Sequence, residues 1–294
     1  MSRIACIGLG AMGLPIARHL AARFGTVAAF DVAPSDAALG DSGLRWMDSP
    51  AEVGRNADIV FQCLPGEAYS TAAIEGPLGL LSVARAGLTV VELSTLDPQA
   101  VRAFGAKFAA AGAGFCDAPL FGAPVDARAG RLAVVISGSR EHFDIVHPVA
   151  LGFARRVTHA GDLGAASLIK VLQNSLGLVQ VAAIAEAFAV LEAAGGDPHS
   201  FYEAVVGSGG MADSALFAKI GIDFADHQAR FGALLRIAAK DIGLGNKLAT
   251  RSGAPARLIA HTAAQFEAAA SAGFGEADLL TVAPSTRPAA NGGA

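Results

Sequence analysis

The sequence carries little charge, few cysteines and no long basic run. Only 16% of its 294 residues are charged, and the formal net charge is −4 at pH 7. We therefore expect neither a nucleic acid nor a membrane surface as a partner. Cys6, Cys63 and Cys116 lie in apolar runs without Cys-x-x-Cys spacing, which is typical of buried thiols in a reducing compartment. We expect a cytoplasmic protein, since the first apolar stretch runs into a glycine turn rather than a cleavage site.

Motifs of metal and acyl-transfer chemistry are missing as well. The seven histidines show neither metal-ligand spacing nor a hydrolase pattern, so we predict no metal site and no acyl-enzyme. The segment from Ser175 to Leu191 is apolar enough to suggest a membrane span, but it contains Gln180 and Glu186. We interpret it as part of a helix in a water-soluble domain.

Apolar residues make up 53% of the sequence, which is enough for extensive buried cores. A chain of this length is expected to divide into two domains. We predict an N-terminal dinucleotide-binding domain over residues 1–162, a helical domain for substrate and subunit contacts over residues 163–284, and a disordered tail over residues 285–294. The tail is predicted from its small, polar, Gly- and Pro-rich composition.

Short β-branched runs alternate with helical stretches up to about residue 160. This rhythm predicts an α/β fold with a mostly parallel, doubly wound sheet. The predicted strands are Ile4–Ile7, Val27–Phe30, Ile59–Cys63, Thr89–Glu92, Gly114–Asp117 and Leu132–Ser137. After residue 164, apolar residues recur at helical spacing, so we predict an all-α C-terminal domain.

The first helix of that domain is predicted to run from Ala165 to Ala194, which is roughly 45 Å at 1.5 Å per residue. It is apolar on nearly every face, and one domain cannot easily cover such a helix. We therefore expect a homodimer or homotetramer that assembles through the helical domain.

A glycine motif follows the first predicted strand and opens a helical pattern. Gly8, Leu9, Gly10, Ala11, Met12 and Gly13 form a G-x-G-x-x-G loop in the strand-turn-helix setting of a Rossmann domain. The first glycine permits a tight turn, the second lets the backbone approach a pyrophosphate, and the third lets helix and strand pack closely. Amide groups at the start of the helix would hold the phosphates. We expect this loop to bind a dinucleotide.

Asp31 ends the second predicted strand, eighteen residues beyond Gly13. A carboxylate there can accept hydrogen bonds from both ribose hydroxyls and repels a 2′-phosphate, so we expect NAD in preference to NADP. The alternative is that Asp31 only begins a polar turn, where Asp is common for its own backbone reasons.

Further loops follow the carboxyl ends of other strands, where ligands of such folds bind. Leu64 and Pro65 come after the third predicted strand, and Ser94 and Thr95 come after the fourth. Hydroxyl residues before Asp97 are, by themselves, more typical of a helix cap than of a ligand contact. Their position in the topology makes them candidates for the cofactor and substrate site.

Lys170 and Asn174 lie four residues apart on the long helix, so their side chains project from one face. A structural role is the alternative for such a pair. A lysine partly removed from water beside a cofactor could take the proton of an alcohol or return it to a carbonyl. Lys170 is therefore our candidate acid and base, with Asn174 beside it.

Two more segments complete the set of candidates. Residues 117–124 follow another strand end, and their Gly and Pro content fits a loop that presents backbone N–H groups to an anionic oxygen. Lys240 and Asp241 could serve the cofactor and the substrate, although a surface charge pair is the simpler interpretation.

These motifs together resemble the β-hydroxyacid dehydrogenase family, which includes 3-hydroxyisobutyrate and tartronate-semialdehyde dehydrogenases, up to about residue 283. The glycine loop, Asp117-Ala118-Pro119 with Gly130, Gly161-x-x-Gly164 leading to Lys170 and Asn174, and Lys240-Asp241 occur in the family's order. The resemblance implies hydride transfer between NAD and a small hydroxy acid or semialdehyde. It also implies that Lys170 is the acid/base residue, that Asn174 lies in the substrate pocket, and that Leu64, Pro65, Thr95 and Lys240 contact the cofactor.

One segment departs from the family pattern. The family's substrate loop normally continues with Ser-Gly-Gly, which contacts a substrate carboxylate, whereas this sequence has Phe121, Gly122 and Ala123. We expect these residues to line the substrate site and, if Phe121 faces the pocket, to alter the preferred substrate. Two alternatives remain open: an imine reductase-like enzyme, which Lys170 disfavours, and a catalytically silent NAD-binding scaffold.

Overall fold

The computed structural model describes residues 2–287 and divides the chain into two compact units, one ending at Lys170 and the other beginning at Val171. This division lies inside the long helix, and the expected domain boundary between residues 162 and 163 stays a prediction. Residues 285–287, expected in the tail, are ordered: Pro284–Thr286 forms a 3₁₀-helix and Thr286 is buried. The rest of the expected tail lies outside the described residues.

The first unit is built on a six-stranded sheet in which every adjacent pair is parallel. Its strands are β1 (Ile4–Ile7), β2 (Val27–Phe30), β3 (Leu44–Trp46), β4 (Ile59–Gln62), β5 (Thr89–Glu92) and β6 (Gly114–Asp117). Their order across the sheet is β3-β2-β1-β4-β5-β6, the doubly wound order of dinucleotide-binding domains. The predicted α/β fold with a doubly wound sheet is therefore confirmed.

A second, three-stranded sheet follows. It contains β7 (Leu120–Phe121), β8 (Leu132–Ile136) and β9 (Ala154–His159), with β7 antiparallel and β9 parallel to β8. The predicted strand at Leu132–Ser137 thus belongs to this sheet and not to the main parallel sheet. We did not predict β3, β7 or β9.

Helices cover both faces of the main sheet, because alternate residues of its buried strands point to opposite sides. On β1, Ile4 and Cys6 enter one apolar core and Ala5 and Ile7 enter the other. The helices that begin in this unit are α1 (Gly13–Phe24), α2 (Asp36–Leu39), α3 (Pro50–Asn56), α4 (Glu67–Glu75), α5 (Pro98–Ala110), α6 (Pro124–Arg128), α7 (Arg140–Ala150) and α8 (Ala165–Ala193).

The second unit is helical, as predicted. It contains most of α8 and then α9 (Pro198–Val205), α10 (Ala215–Ala225), α11 (Leu235–Ser252) and α12 (Arg257–Ala269), followed by a π-helical turn and two short 3₁₀-helices. Its core packs Phe188 against Phe217 and Phe224, with ring centroids 6.2 and 5.7 Å apart. These contacts hold α8 against α10.

Among the described residues, α8 is the one helix long and apolar enough to cross a membrane by length and composition, and 28% of its most apolar 18-residue window is buried. By itself this is weak evidence for a membrane span. The polar side chains Gln180 and Glu186 interrupt the apolar surface near its middle.

Candidate active site

The glycine loop between β1 and α1 has the backbone geometry that the sequence predicts. Gly8 has a φ of +83°, and a Cβ added there would overlap the carbonyl oxygen of Cys63. A Cβ on Gly13 would overlap the carbonyl oxygen of Gly8. Gly10, in contrast, has no neighbour within 4 Å of an added Cβ and faces open space. The loop therefore closes tightly on the sheet side and leaves an uncovered backbone on its outer side.

Asp31 is fixed against this loop. Its Oδ2 accepts a hydrogen bond of 2.6 Å from the Leu9 N–H, and its Oδ1 accepts one of 2.8 Å from the Ala33 N–H. Each carboxylate oxygen can accept a further bond, so the side chain is held in place and can still receive two hydroxyl groups.

A cavity of about 670 Å³ opens beside the loop, with Asp31 in its wall. It is lined by Leu9, Gly10, Ala11, Leu14, Pro15, Arg18, His19, Asp31, Ala33, Ser35 and Arg128. The open backbone at Gly10 and the start of α1 fit a pyrophosphate, and Asp31 fits a ribose diol. These residues therefore fit a bound dinucleotide.

Three cationic or ionisable side chains in this cavity, Arg18, His19 and Arg128, were not predicted from the sequence. Arg128 ends α6, which brings it to the cavity because α6 packs on α1. His19 Nε2 lies 3.2 and 3.1 Å from the carbonyl oxygens of Ala127 and Arg128, and it joins the two helices. The contact between α1 and α6 is long-range, and no local sequence motif indicates it.

The carboxyl ends of β4 and β5 are joined by a buried polar network. Glu92 accepts hydrogen bonds from Gln62 Nε2 at 2.6 Å and from the Ser94 N–H at 2.9 Å. The Ser94 hydroxyl in turn accepts the Leu64 N–H at 2.8 Å. Burial raises the pKa of the Glu92 carboxyl. The network fixes the loop after β4, which begins with Leu64 and Pro65, against the loop that contains Ser94 and Thr95.

Lys170 and Phe121 are neighbours in the first unit. The Lys170 Nζ lies 4.8 Å from the centre of the Phe121 ring, within the range of a cation–π contact. Phe121 is in β7, whose pairing with Ala133 of β8 fixes its position. The aromatic ring therefore faces the candidate acid/base group.

The start of α8, one turn before Lys170, is held by a buried carboxylate. Asp117, at the end of β6, accepts the Ser167 N–H at 2.8 Å and the hydroxyls of Ser167 at 2.7 Å and Ser137 at 3.0 Å. The Ser137 Oγ also accepts the N–H groups of Gly164 and Ala166. Burial raises the pKa of the Asp117 carboxyl, and the hydrogen bonds from Ser167 oppose that rise. Asp117 and Ser137 thus position the helix that carries Lys170.

The loop after Phe121 contains an acceptor of its own. Asp126 Oδ2 accepts the Ala123 N–H at 3.0 Å, and this hydrogen bond lowers the pKa of Asp126. A Cβ added to Gly122, whose φ is +136°, would lie 3.3 Å from Asp126 Oδ2. The carboxylate therefore covers this part of the loop.

In the second unit, three predicted residues form one polar group. Asn174 Nδ2 donates to Asp241 Oδ2 at 2.7 Å. Lys240 Nζ lies 2.8 Å from Asp241 Oδ1 in an ion pair between neighbouring residues. Asp241 is buried, and Asn174 and Lys240 are half-buried. Asp241 thus contacts both of them.

Two family models match nearly the whole chain. The model described as the NAD binding domain of 6-phosphogluconate dehydrogenase matches residues 3–161. The model described as "NAD-binding of NADP-dependent 3-hydroxyisobutyrate dehydrogenase" matches residues 164–284.

The chain is also similar to individual dehydrogenases. It is 29% identical to 2-(hydroxymethyl)glutarate dehydrogenase of Eubacterium barkeri, over 95% of this chain and 93% of that protein. It is 34% identical to 3-hydroxyisobutyrate dehydrogenase of Pseudomonas aeruginosa, over 71% of each chain. It is 30% identical to L-threonate dehydrogenase of Cupriavidus necator, over 95% of this chain and 94% of that protein.

Solved structures are similar to this fold over nearly the whole chain. The crystal structure of 3-hydroxyisobutyrate dehydrogenase from Salmonella typhimurium has a TM-score of 0.84 and 26% identity, and covers 96% of this chain and 99% of that chain. A structure of Psf3 in complex with NADP⁺ and 2-OPP has a TM-score of 0.83 and 25% identity, and covers 97% of this chain and 100% of that chain.

Proposed function

The chain belongs to the β-hydroxyacid dehydrogenase family, and from that premise we propose that it transfers a hydride between NAD and a β-hydroxy acid or a related alcohol or semialdehyde, with Lys170 as general acid and base. The observation that carries the proposal is the glycine loop, which is closed against the sheet at Gly8 and Gly13 and open at Gly10. The relatives support NAD(P)-dependent hydroxyacid dehydrogenase activity in general, without specifying the substrate.

The cofactor site is proposed to use Gly8 through Gly13 for the pyrophosphate and Asp31 for the adenosine ribose. A bound nicotinamide supplies the acceptor or donor of hydride. NAD is favoured because the Asp31 carboxylate, held by the Leu9 and Ala33 N–H groups, would repel a 2′-phosphate. The related complex that contains NADP⁺ makes this preference a matter for experiment.

The proposed reaction moves one hydride and one proton. In the oxidative direction, the substrate carbon loses a hydride, and the hydroxyl proton passes to a neutral Lys170 amine. In the reductive direction, the Lys170 ammonium returns that proton to the carbonyl oxygen. Asp117 and Ser137 support this role by fixing the start of α8. General acid–base catalysis of this kind typically contributes about 10²- to 10⁴-fold to the rate.

The remaining family-derived roles stay predictions. They are the cofactor contacts of Leu64, Pro65, Thr95 and Lys240, and the substrate contacts of Ser94, Asn174 and Asp241. We also propose a cytoplasmic enzyme with a small-molecule substrate, in keeping with the low charge of the sequence.

Replacement of Lys170 tests the proposal. In Lys170→Ala we expect kcat to fall by about 10²-fold or more, because the proton loses its acceptor, while the Kd for NADH stays within about threefold of the wild type. NADH fluorescence measures binding, and NADH absorbance measures turnover over a panel of hydroxy acids. The control is Lys107→Ala, since Lys107 pairs with Glu75 on the surface at 2.7 Å. Full activity of Lys170→Ala would contradict the assignment.

The same panel separates the two alternatives. Tight NADH binding by the wild type without turnover of any hydroxy acid, alcohol or imine would indicate a silent scaffold. Faster reduction of a cyclic imine than of any carbonyl compound would indicate an imine reductase, for which the aromatic ring of Phe121 beside Lys170 is the favourable observation.

A further inference from the structure

The loop from Phe121 to Asp126 lies beside the proposed acid/base group and is poorly suited to binding an anion. The Phe121 ring is centred 4.8 Å from Lys170 Nζ. A substrate oxygen that exchanges a proton with this amine therefore brings its neighbouring carbon atoms close to the ring. An aromatic face binds apolar groups and cations well and carries no hydroxyl donor.

The backbone of the loop is also less able to bind a carboxylate. The Ala123 N–H already donates to Asp126 Oδ2 at 3.0 Å. This bond lowers the pKa of Asp126, so its carboxylate is charged at neutral pH. The Asp126 carboxylate lies beside Gly122, and its Oδ1 is 3.5 Å from an Arg131 nitrogen. At this half-exposed site, the positive charges of Arg131 and Arg155 balance the carboxylate only in part.

A substrate carboxylate placed against this loop would meet the partly balanced charge of Asp126, and it would find an aromatic ring at Phe121 that offers no hydrogen-bond donor. Both effects disfavour an acidic group and favour an uncharged one. The two features come from different elements, since Phe121 lies in β7 and Asp126 lies in the first turn of α6.

We propose that the substrate of this enzyme is an alcohol, or the matching aldehyde or ketone, that carries an uncharged apolar group rather than a carboxylate on the carbon next to the reacting one. The inference rests on the proposed dehydrogenase function and narrows it. The reaction is unchanged: the reacting carbon is oxidised by loss of a hydride to the bound nicotinamide, and the hydroxyl proton goes to Lys170.

Matched substrates test this inference. The probes are 3-hydroxyisobutyrate and its methyl ester, together with the methyl ester of 3-hydroxy-2-phenylpropanoate, each oxidised with NAD and followed by NADH absorbance. For the wild type we expect kcat/KM for each ester to exceed that for the free acid by about tenfold or more. A wild type that oxidises the free acid at least as well as both esters overturns the inference.

Variants assign the preference to the loop. Phe121→Ser introduces a hydroxyl, and Asp126→Asn removes the charge while an amide oxygen can still accept the Ala123 N–H. In the double variant, we expect the ratio of ester to acid kcat/KM to fall at least threefold, with a gain for the acid. The control is Asp144→Asn, an exposed carboxylate on α7 paired with Arg140, which should leave the ratio unchanged.

Two controls distinguish the possible failures. NADH binding and the thermal unfolding midpoint are measured for every variant, and the single variants are used if the double variant does not fold. A wild type that binds NADH but oxidises neither acid nor ester contradicts the dehydrogenase proposal and this inference together. An unchanged ratio in folded, NADH-binding variants of an active enzyme overturns the inference alone.

Discussion

The proposed preference for NAD over NADP rests on Asp31. Its carboxylate is tied to the glycine loop through Leu9 and to its own turn through Ala33, so it cannot move aside for a phosphate without breaking two hydrogen bonds. Arg18, in the same cavity, is engaged with Asp41 at 2.6 Å. These contacts of Asp31 and Arg18 support the proposed preference for a ribose diol over a 2′-phosphate.

Asp31→Ser should relax this choice. We expect the wild type to use NAD with a kcat/KM at least tenfold above that for NADP, because a fixed carboxylate accepts hydroxyl groups and repels phosphate. In the variant, the ratio should fall at least tenfold, mainly through a higher KM for NAD. Steady-state kinetics with both cofactors measures the ratio, and Asp36→Ser, on the exposed first turn of α2, is the control. A wild-type preference for NADP would show that the role assigned to Asp31 is wrong.

The site residues differ in how far the sequence predicts them. The glycine loop is predictable because strand, turn and helix are contiguous, and each glycine has a local steric reason. The contact between Phe121 and Lys170 joins two segments 49 positions apart. It depends on the pairing of β7 with β8 and on the hydrogen bonds of Asp117 that fix the start of α8. The hydrogen bond from the Ala123 N–H to Asp126 depends on the turn into α6. Pro124 at the first helical position signals this helix start, but Ala123 has no side chain that could cap it.

At the scale of the elements, the carboxyl ends of β4 and β5 are joined by a buried acid that the proposed reaction does not use. Glu92 is inaccessible to solvent, and burial raises its pKa. Gln62 donates to Glu92 Oε2 through Nε2, while its own Oε1 is buried with no hydrogen-bond partner among the described residues. The pair therefore leaves an unsatisfied acceptor and a poorly solvated carboxyl at the edge where ligands of such folds bind.

Glu92→Gln should stabilise the first unit increasingly as the pH rises. In the unfolded chain a glutamate titrates near a pKa of about 4.3, and folding raises this value, so the native state binds the proton more tightly and stability is lost as the pH rises between the two values. A neutral amide at position 92 does not titrate, so this loss of stability at higher pH disappears. The Gln62 amide can also flip, so that its oxygen accepts a hydrogen bond from the introduced amide group. Each unit of pKa difference corresponds to about 1.4 kcal/mol.

Urea unfolding at pH 5 and pH 8, followed through Trp46, measures this effect. Trp46 is the single tryptophan of the chain and lies on β3 of the same sheet. We expect the stability difference between variant and wild type to be larger at pH 8 by about 1 kcal/mol or more. The exposed Glu203 on α9 supplies the control Glu203→Gln, for which the difference should change little between the two pH values. An equal difference at both pH values would contradict a raised pKa at Glu92.

The strands are predictable from the sequence where their residues are buried on both faces of the sheet. Strands β1, β2, β5 and β6 begin and end where the apolar runs do, because a parallel sheet covered by helices requires continuous apolar strands. Strand β3 is three residues long with Arg45 at its centre, and β9 carries exposed arginines. Pairing with β2 fixes the position of β3, and pairing with β8 fixes that of β9. Their short or polar sequences give no strand signal of their own.

At the scale of the whole molecule, the outer face of α8 in the second unit presents an apolar stripe to solvent. Leu172, Leu176 and Val190 are 47%, 63% and 69% exposed, and Ala183 and Ala187 between them are exposed as well. Their spacing places them along one side of the helix. The exposed Gln180 interrupts the stripe near its middle. Apolar surface on both sides of it is unusual for a monomer and is typical of a subunit interface. A second copy of the chain, packed by two-fold symmetry, would cover the same stripe on both copies.

Charges introduced into this stripe should separate the subunits. We expect the wild type to have at least twice the mass of one chain by light scattering at micromolar concentration, because burial of the stripe removes apolar surface from water. The variant Leu176→Glu with Val190→Glu should have the mass of a single chain, since two like-charged pairs would face each other across the symmetry axis. Leu258→Glu is the matched control: Leu258 is 71% exposed on α12, and the same substitution there should leave the mass unchanged. A monomeric wild type, or a double variant that keeps the wild-type mass, would show that α8 is not the contact between subunits.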